Sequence, residues 1–426
     1  MKKILSIVLT LILVAVCCSA LADEYIIQYP THQIGTNSSA PANAAMVQGF
    51  NELYEGTYEI QVEDVPGDTN YRDKILNLLQ SKDLPCMVYG SNLIDPFYAQ
   101  EAFVDLKPYL DEDPEWAAGL SIANIEQNSR DGKVVGIANE TQLIGYYYNK
   151  EIFAECGLEG PAKTWDEFFE QCAIIKDHGY IPLSMQTGDN AWCSGLFLSA
   201  MIDYCAGDQE SFLDSNEKTT DYNVDYFYDA LNMLKRIWDE GYTTEDSIGG
   251  MYENAAINFI SGNTAMIANG VWMIGSFADP SLGGSEEFAE KVDIALYPEG
   301  FCMENPLDGW IVTPGDEEHV AAGIAQLKYW TSTDTMLNNL RVCGLVPGGN
   351  LEIPDDVIES NRMLGKLIAL KSEDGVTTAH SIGNRMYGNV GTEVFSQYLT
   401  LFAQGGCTAE EIAAAMTEYA QEYAAK

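Results

Sequence analysis

The sequence predicts an α/β fold in which helices cover a sheet, and composition and two kinds of periodicity support this. Hydrophobic residues make up 46% of the 426 residues, which suits a chain with a large buried core. Short strand-like segments alternate with amphipathic helical ones up to Tyr148, and helical patterns dominate after it. At this length we expect two or three compact units rather than one.

The first part of the chain alternates between strand and helix signals. We predict strands at Tyr25–Tyr29, Tyr58–Val65 and Pro85–Tyr89. A helix with Met46 and Phe50 on one face separates the first two strands, and a second helix separates the next two. This order implies a sheet covered by helices, with the loops at the strand ends available for a ligand.

The segment Gly132–Phe169 carries the clearest local signals. Leu143–Tyr148 is an apolar, aromatic-rich strand that ends at Asn149, where a helix begins. Thr164 and Glu167 have the spacing of a capping box, which predicts the start of another helix. We assign this more helical part to a second lobe, with further helices at Ala191–Tyr204, Tyr222–Glu240, Glu253–Ile260 and after Thr408, and we predict another long helix at about Asp316–Trp330.

Residues 1–22 have the plan of a secretory signal and are left out of the fold. Two lysines precede an apolar run, and the small-residue site Ala20-Leu21-Ala22 follows it. We therefore expect an exported protein that begins at Asp23, in the periplasm or on the outer face of the cytoplasmic membrane. Lipid attachment to Cys17 or Cys18 is the alternative, although the bulky Val16 argues against it, and we favour soluble export.

The net charge indicates which partners to exclude, and the spacing of the cysteines indicates whether they form disulfides. The formal net charge is −42, and removal of the signal takes away two lysines and no acid, which leaves −44. A surface of this charge argues against nucleic acid as a partner and favours a solvated, soluble protein. Eight cysteines follow residue 22, widely spaced and without a CxxC pair, so we expect buried free thiols for most of them.

Catalytic and cofactor motifs are absent from the sequence. It contains no GxSxG, HExxH, Walker or GxGxxG pattern, and its four histidines are far apart in sequence. We therefore expect no metal, no cofactor and no enzymatic activity. A glycoside hydrolase with two carboxylates stays open as a less favoured alternative, because 64 acidic residues produce such pairs by chance.

Four motifs follow one another between Tyr148 and Trp310: Tyr148-Asn149-Lys150 with Phe153 and Gly157-Leu158, Lys163 to Phe168, Gly262 to Met266 with Asn269-Gly270 and Trp272, and Asp308-Gly309-Trp310. Together they resemble the extracellular solute-binding proteins of carbohydrate ABC importers, the group that includes maltose-binding protein. The pattern of strands and helices on either side fits this family over nearly the whole mature chain.

The resemblance implies a two-lobed class II fold, with discontinuous lobes and a ligand cleft between them. The backbone would cross between lobes near Ile137–Gln142, Tyr297–Gly300 and Gly344–Gly349. Lobe 1 would comprise residues 23–138 and 299–345, and lobe 2 residues 139–298 and 346–426. The family also implies a monomer that closes over a sugar or oligosaccharide and delivers it to the permease subunits of an ABC transporter.

Aromatic residues supply the first ligand candidates. Sugars present apolar C–H faces and a rim of hydroxyls, so a site for them needs flat rings and planar polar side chains. Trp272 matches the family's stacking tryptophan after the Asn-Gly turn, and Trp192 resembles the aromatic that the second lobe projects. We also expect Trp310 to line the cleft, with Asp308 accepting hydroxyl hydrogen bonds and Gly309 allowing close approach. Trp165, inside a capping box, is assigned to the core.

Polar candidates come from loops at the strand ends, taken partly from the family pattern. These are His32 and Gln33 after the first strand, Asn92 and Asp95 after the strand that ends at Tyr89, Glu140 and Gln142 at the first crossing, and Arg385 and Tyr387 near the C-terminus.

A second ligand class stays open on the same fold. Asp95, Glu140 and Asp308 could bind a cation such as a polyamine, and binding would then weaken steeply with salt. A purely structural surface protein is disfavoured, since the sequence has no repeats.

Overall fold

The computed structural model describes residues 24–425 except residues 36, 38, 216, 217, 388 and 389. The predicted secretory signal, with Cys17 and Cys18, lies outside the described residues. The strands, in chain order, are β1 Tyr25–Thr31, β2 Tyr58–Asp64, β3 Met87–Tyr89, β4 Ser129–Arg130, β5 Lys133–Val134, β6 Glu140–Asn149, β7 Ile181–Ser184, β8 Thr264–Gly270, β9 Val292–Ala295, β10 Phe301–Pro306, β11 Trp310–Val312, β12 Val346–Pro347 and β13 Thr377–Ala379.

The helices up to β10 are α1 Ala40–Leu53, α2 Asp68–Ser81, α3 Ile94–Ala99, α4 Lys107–Glu112, α5 Pro114–Ala118, α6 Ile122–Gln127, α7 Lys150–Glu155, α8 Trp165–Asp177, α9 Trp192–Ala206, α10 Asp225–Asp239, α11 Tyr252–Ile260 and α12 Glu286–Lys291. Those after β11 are α13 Glu317–Trp330, α14 Thr333–Cys343, α15 Asp355–Ser360, α16 Arg362–Lys371, α17 Ile382–Arg385, α18 Ser396–Ala403 and α19 Ala409–Ala424. Short 3₁₀ turns include Val271–Ala278, directly after β8.

Both predicted helix starts are capped, although the Glu167 carboxylate accepts the backbone N–H of Lys163 at 2.8 Å and not that of Thr164, so that capping box is half formed. The Thr164 side chain accepts a hydrogen bond from the backbone N–H of Glu167 at 3.3 Å, which starts α8. Thr408 and Glu411 form a reciprocal capping box at the start of α19. Trp165 is 2% exposed among core aromatics, as its helical spacing predicts.

The chain divides into two compact, discontinuous units. Unit 1 comprises the residues up to Ala117, Asn128–Ile137 and Asp308–Thr335, and unit 2 comprises Ala118–Gln127, Ala138–Leu307 and the residues from Met336 onward.

The sheets of unit 1 are small. β1 pairs with β2 in parallel, β3 pairs with β11 antiparallel, and β4 and β5 form a short hairpin. Tyr71, Ile75, Phe97 and Ile311 are fully buried members of one of its cores.

Unit 2 is built on a seven-stranded mixed sheet with β6 at its centre. The order is β13-β10-β6-β8-β7, and β12 and β9 also pair with β6. Its largest core contains Phe168, Phe197, Phe227 and Met416, from the helices on the sheet. The strand predicted at Leu143–Tyr148 is thus part of β6, with which most of the other strands of the sheet pair.

The unit boundaries differ from those expected. Residues 299–307, assigned to lobe 1 from sequence, fall in unit 2 because β10 pairs with β6 from Met303 opposite Ile144 to Pro306 opposite Thr141. Residues 118–127 and 336–345, also assigned to lobe 1, fall in unit 2 as well, and Asn124 donates a hydrogen bond to the Gly348 carbonyl at 2.9 Å. Short segments that join a sheet through a few long-range bonds leave no periodic signal in the sequence.

The eight described cysteines are all free, five of them buried and three partly exposed, which confirms the expectation for most of them. Among the described residues, no helix combines the length and the apolar character needed to cross a bilayer.

Candidate functional site

Two tryptophans of unit 2 form an indole pair. The ring centroids of Trp192, at the start of α9, and Trp272, just after β8, are 6.0 Å apart with their planes tilted by 51°. Both rings pack against buried residues yet stay partly exposed. Their partial exposure is compatible with the ligand role expected from the sequence, and that role stays a prediction.

Gly270 lets the Trp272 indole lie over the end of β8. A Cβ atom at Gly270 would come within 2.0 Å of the Trp272 ring, so no other residue fits there without moving the indole. The Trp192 ring lies beside Gly383 of α17. A Cβ atom built at Gly383 would be 3.8 Å from this ring, which is an ordinary contact distance. The glycine of the Asn-Gly turn is thus needed because a side chain at position 270 would clash with the Trp272 indole.

Gln142 belongs to a buried polar network on unit 2. Asn305 of β10 donates to the Gln142 side-chain oxygen at 3.0 Å and to the Ser381 hydroxyl at 2.9 Å, and its own oxygen accepts from the Ser381 N–H at 2.8 Å. Asn305 is 1% exposed, and sequence reasoning missed it. The sequence feature that could have indicated Asn305 is its place between the apolar start of β10 and Pro306.

Arg385 extends the same network. It is 1% exposed, and its guanidinium donates to Asn384 at 2.7 Å and to Gln127 at 3.2 Å. The backbone N–H of the neighbouring Tyr387 donates to the Tyr222 hydroxyl, and its ring packs 5.8 Å from that of Tyr423. These two residues are held by internal contacts, whereas sequence reasoning placed them in an open polar loop.

Glu140 opens β6, opposite Pro347 of β12. Its side chain keeps some exposure, but no described residue donates a hydrogen bond to its carboxylate. Burial without a compensating charge raises the pKa of this carboxyl to about 7. A carboxyl held in this way is free to accept donors from a ligand.

The strand ends of unit 1 bring a second group of candidates together. The Asp308 carboxylate accepts the backbone N–H of Asn92 at 2.7 Å, which braces the left-handed turn at Asn92 (φ 59°). The Gly309 N–H donates to the Asn128 side chain at 2.6 Å. Asp95 pairs with Arg130 at 2.7 Å. Much of the hydrogen-bonding capacity of this group is thus used within the unit.

His32 and Gln33 follow β1 in the same unit. The His32 ring lies 5.1 Å from the Tyr71 ring and 5.9 Å from that of Tyr89. Gln33 is 8% exposed, and its carbonyl accepts a hydrogen bond from Asn43 at 3.1 Å. That bond is accepted by the Gln33 backbone; the Gln33 side chain is mostly buried, and His32 is the more exposed of the two.

The expectation for Trp310 needs correction. Its side chain is 1% exposed and packs against Tyr29, Tyr89 and Trp330, with ring centroids 6.0, 5.0 and 6.3 Å away. Trp310 is the first residue of β11, and the motif match did not reveal that its side chain packs among these aromatic rings. Trp310 is a core residue of unit 1.

Comparison with known proteins gives a family match over most of the chain. Residues 45–362 match the family described as bacterial extracellular solute-binding protein. The sn-glycerol-3-phosphate-binding periplasmic protein UgpB of Rhizobium meliloti is 23% identical over 225 residues, 51% of this chain and 50% of that protein. The multiple sugar-binding protein of Streptococcus mutans is 28% identical over 149 residues, 33% of this chain and 34% of that protein.

These matches span half or less of the length of the curated relatives. A solved chitin oligosaccharide binding protein aligns with a TM-score of 0.77 at 17% identity, covering 95% of this chain and 100% of that one. The likeness shows a shared fold, which confirms the predicted α/β class with discontinuous units.

Proposed function

Because the chain belongs to the bacterial extracellular solute-binding proteins, we propose that it captures an extracellular sugar or oligosaccharide and delivers it to the permease of an ABC importer. The names of relatives that bind multiple sugars and chitin oligosaccharides support a carbohydrate ligand. We further propose that it works as an exported monomer, releases its ligand unchanged and needs no cofactor or metal. Lipid attachment remains the alternative to soluble export.

The indole pair is the observation that carries the proposal. Partly exposed indoles suit the apolar faces of sugar rings. A ring sandwiched between two indoles needs their planes parallel and about 7 Å apart, twice the ~3.5 Å stacking distance. Planes tilted by 51° with centroids 6.0 Å apart leave no such gap. The ligand would therefore contact the outer faces of Trp192 and Trp272, which favours an oligosaccharide whose successive rings meet different indoles.

Strand β6 supports the same ligand length. Ile144 pairs with Gly270, over which the Trp272 indole lies. At ~3.4 Å per residue, Gln142 is about 7 Å and Glu140 about 14 Å farther along the same face. The face thus offers an amide and then a carboxylate beyond the indoles, over a distance of more than one sugar ring.

A phosphorylated ligand, suggested by the name of the Rhizobium relative, fits these residues less well. A phosphate group is usually bound by cations and N–H donors. The unit 2 candidates include one cation, Arg385, which is 1% exposed and donates to Gln127 and Asn384. The uncompensated Glu140 carboxyl would repel an anion. Glu140 could instead meet a polyamine, and that alternative predicts a steep loss of affinity with salt.

The test is calorimetry with neutral oligosaccharides first selected by thermal shift, since a ligand at 100 times its dissociation constant adds about 2.7 kcal/mol of stability. Trp272→Ala should weaken binding by about 1–3 kcal/mol with the fold intact. Gly270→Ala should act in the same direction by displacing the indole.

Gly275 provides the matched control, because a Cβ built there meets no atom within 4 Å. Gly275→Ala should bind as the parent protein does. Unchanged affinity in both Trp272→Ala and Gly270→Ala would exclude the indole pair from the site, and a ligand recovered in hydrolysed form would favour the glycoside hydrolase alternative.

A further inference from the structure

Unit 2 contains a cavity of about 470 Å³ to which none of the residues discussed as ligand candidates contributes. Its lining includes Asn124 of α6, Thr141 of β6, Glu304 and Pro306 of β10, His380, and the exposed Asp214. The volume lies in the range of small-molecule sites.

Three lining residues, Thr141, Glu304 and Pro306, lie on the opposite face of β6 and β10 from Gln142, whereas Pro347 pairs with Glu140 and shares its face. Directly paired residues share a face of a sheet, and successive residues alternate. Thr141 pairs with Pro306, and Glu304 pairs with Leu143, whereas Gln142 pairs with Asn305 between them. Most of the strand residues of β6 and β10 that line the cavity thus face away from Gln142, and neither indole lines it, so a ligand could occupy it whether or not a sugar binds at the indole pair.

One wall of the cavity is rigidly built. The Gly348 carbonyl accepts from the Asn124 side chain at 2.9 Å and from the Ser121 N–H at 3.2 Å. The Asn350 side chain donates to the Leu120 carbonyl at 2.9 Å. A Cβ at Gly349 would lie 2.2 Å from the Gly119 carbonyl, so only glycine permits this close approach.

His380 contributes an acceptor to this cavity. Its Nδ1 lies 3.1 Å from the Glu304 carbonyl oxygen, which can only accept, so Nδ1 carries the proton. Burial and the nearby Arg385 charge lower the pKa of His380 to about 4. The ring is therefore neutral at pH 7, and Nε2 presents a lone pair.

The carboxylates add further acceptors. Asp214 accepts the Ser211 N–H at 2.8 Å with one oxygen, and its other oxygen accepts from no described residue. Glu304 forms an ion pair with Lys371 through one oxygen, which neutralises its charge. The lining thus offers three acceptors and the unpaired charge of Asp214.

We propose that this cavity is a second ligand site that takes a small primary ammonium compound, whose three N–H donors meet Asp214, His380 and Glu304. A neutral polyol of the same size would lack the charge that matches Asp214. Occupancy would hold β6 and β10 against the loop at Gly348, two strands whose other face carries Gln142 and Asn305.

The test is calorimetry of the full mature chain at low ionic strength with 1,4-diaminobutane, and with 1,4-butanediol as the neutral match. We expect one diamine site and no diol binding. Asp214→Asn keeps an acceptor for the Ser211 N–H but removes the charge, and it should weaken diamine binding at least tenfold. Ala123→Trp, at an exposed lining position, should abolish binding by filling the cavity.

Matched controls separate this site from the acidic surface as a whole. Asp208→Asn and Ile122→Trp change exposed neighbours that do not line the cavity, and both should bind diamine normally. Trp272→Ala should also bind it normally. Absence of diamine binding, equal binding of the diol, undiminished binding by Asp214→Asn, or loss of binding in Trp272→Ala would each overturn the proposal.

Discussion

The two units hold their candidate residues in different ways. In unit 1 the polar groups at the strand ends are bonded to one another, Asp308 to the Asn92 backbone and Asp95 to Arg130, and Trp310 is buried. In unit 2 two indoles stay partly exposed, and Glu140 has a carboxyl that no described residue satisfies. A residue that follows a strand lies where a site can form. Whether it can bind a solute depends on whether its donors and acceptors are still free.

The largest expected effect separates the buried Trp310 of unit 1 from the partly exposed Trp272 of unit 2. Trp310→Ala should lower the free energy of unfolding by about 3–5 kcal/mol, because it removes an indole packed among Tyr29, Tyr89 and Trp330. Urea denaturation measures this. Trp272→Ala should cost much less stability in the same experiment.

A Trp310→Ala protein that keeps its stability and loses solute affinity would reverse this contrast and restore Trp310 as a ligand residue. Loss of both properties would be explained by unfolding, so affinity should be measured well below the denaturation midpoint.

The sequence predicted the regular elements well and the individual contacts less well. Strand β6 and the cap at Thr164 follow from apolar runs and capping residues, which are local signals. The assignment of β10 to unit 2, and the Asn305 network, depend on residues 76 or more positions apart in sequence. Burial of Trp310 likewise depends on neighbours from β1, β3 and α13, so a motif match could not reveal it.

Substitution of Glu140 should have an intermediate effect on the free energy of unfolding, and this effect should depend on pH. Its carboxyl has a pKa of about 7 in the fold, against an ordinary value of 4.5, so the folded state disfavours ionisation. Between these values the folded protein binds more protons than the unfolded one, and stability falls as pH rises. Glu140→Gln mimics the protonated acid and should therefore gain about 1–3 kcal/mol at pH 8 and nothing at pH 4.

Thermal or urea unfolding across this pH range tests the prediction, with the exposed Glu159→Gln as control. A pH-independent difference would mean that the carboxyl is not desolvated. If the same variant binds oligosaccharide more weakly while being more stable, the carboxylate is retained for the solute at a cost in stability.

The smallest expected effect concerns Asp95 of unit 1. Its pair with Arg130 joins side chains that are 40% and 28% exposed, and such pairs contribute about 0.2–1 kcal/mol and weaken with salt. Asp95→Ala should lower stability by that amount in dilute buffer and by less at high salt, whereas Asp73→Ala, at an exposed position of the same unit, should change little. Solute affinity measured by calorimetry should stay within about 0.5 kcal/mol, because the carboxylate is already engaged. A tenfold loss of affinity in Asp95→Ala would mean that Arg130 releases this carboxylate to the solute, and the contrast between the internally bonded group of unit 1 and the open group of unit 2 would no longer hold.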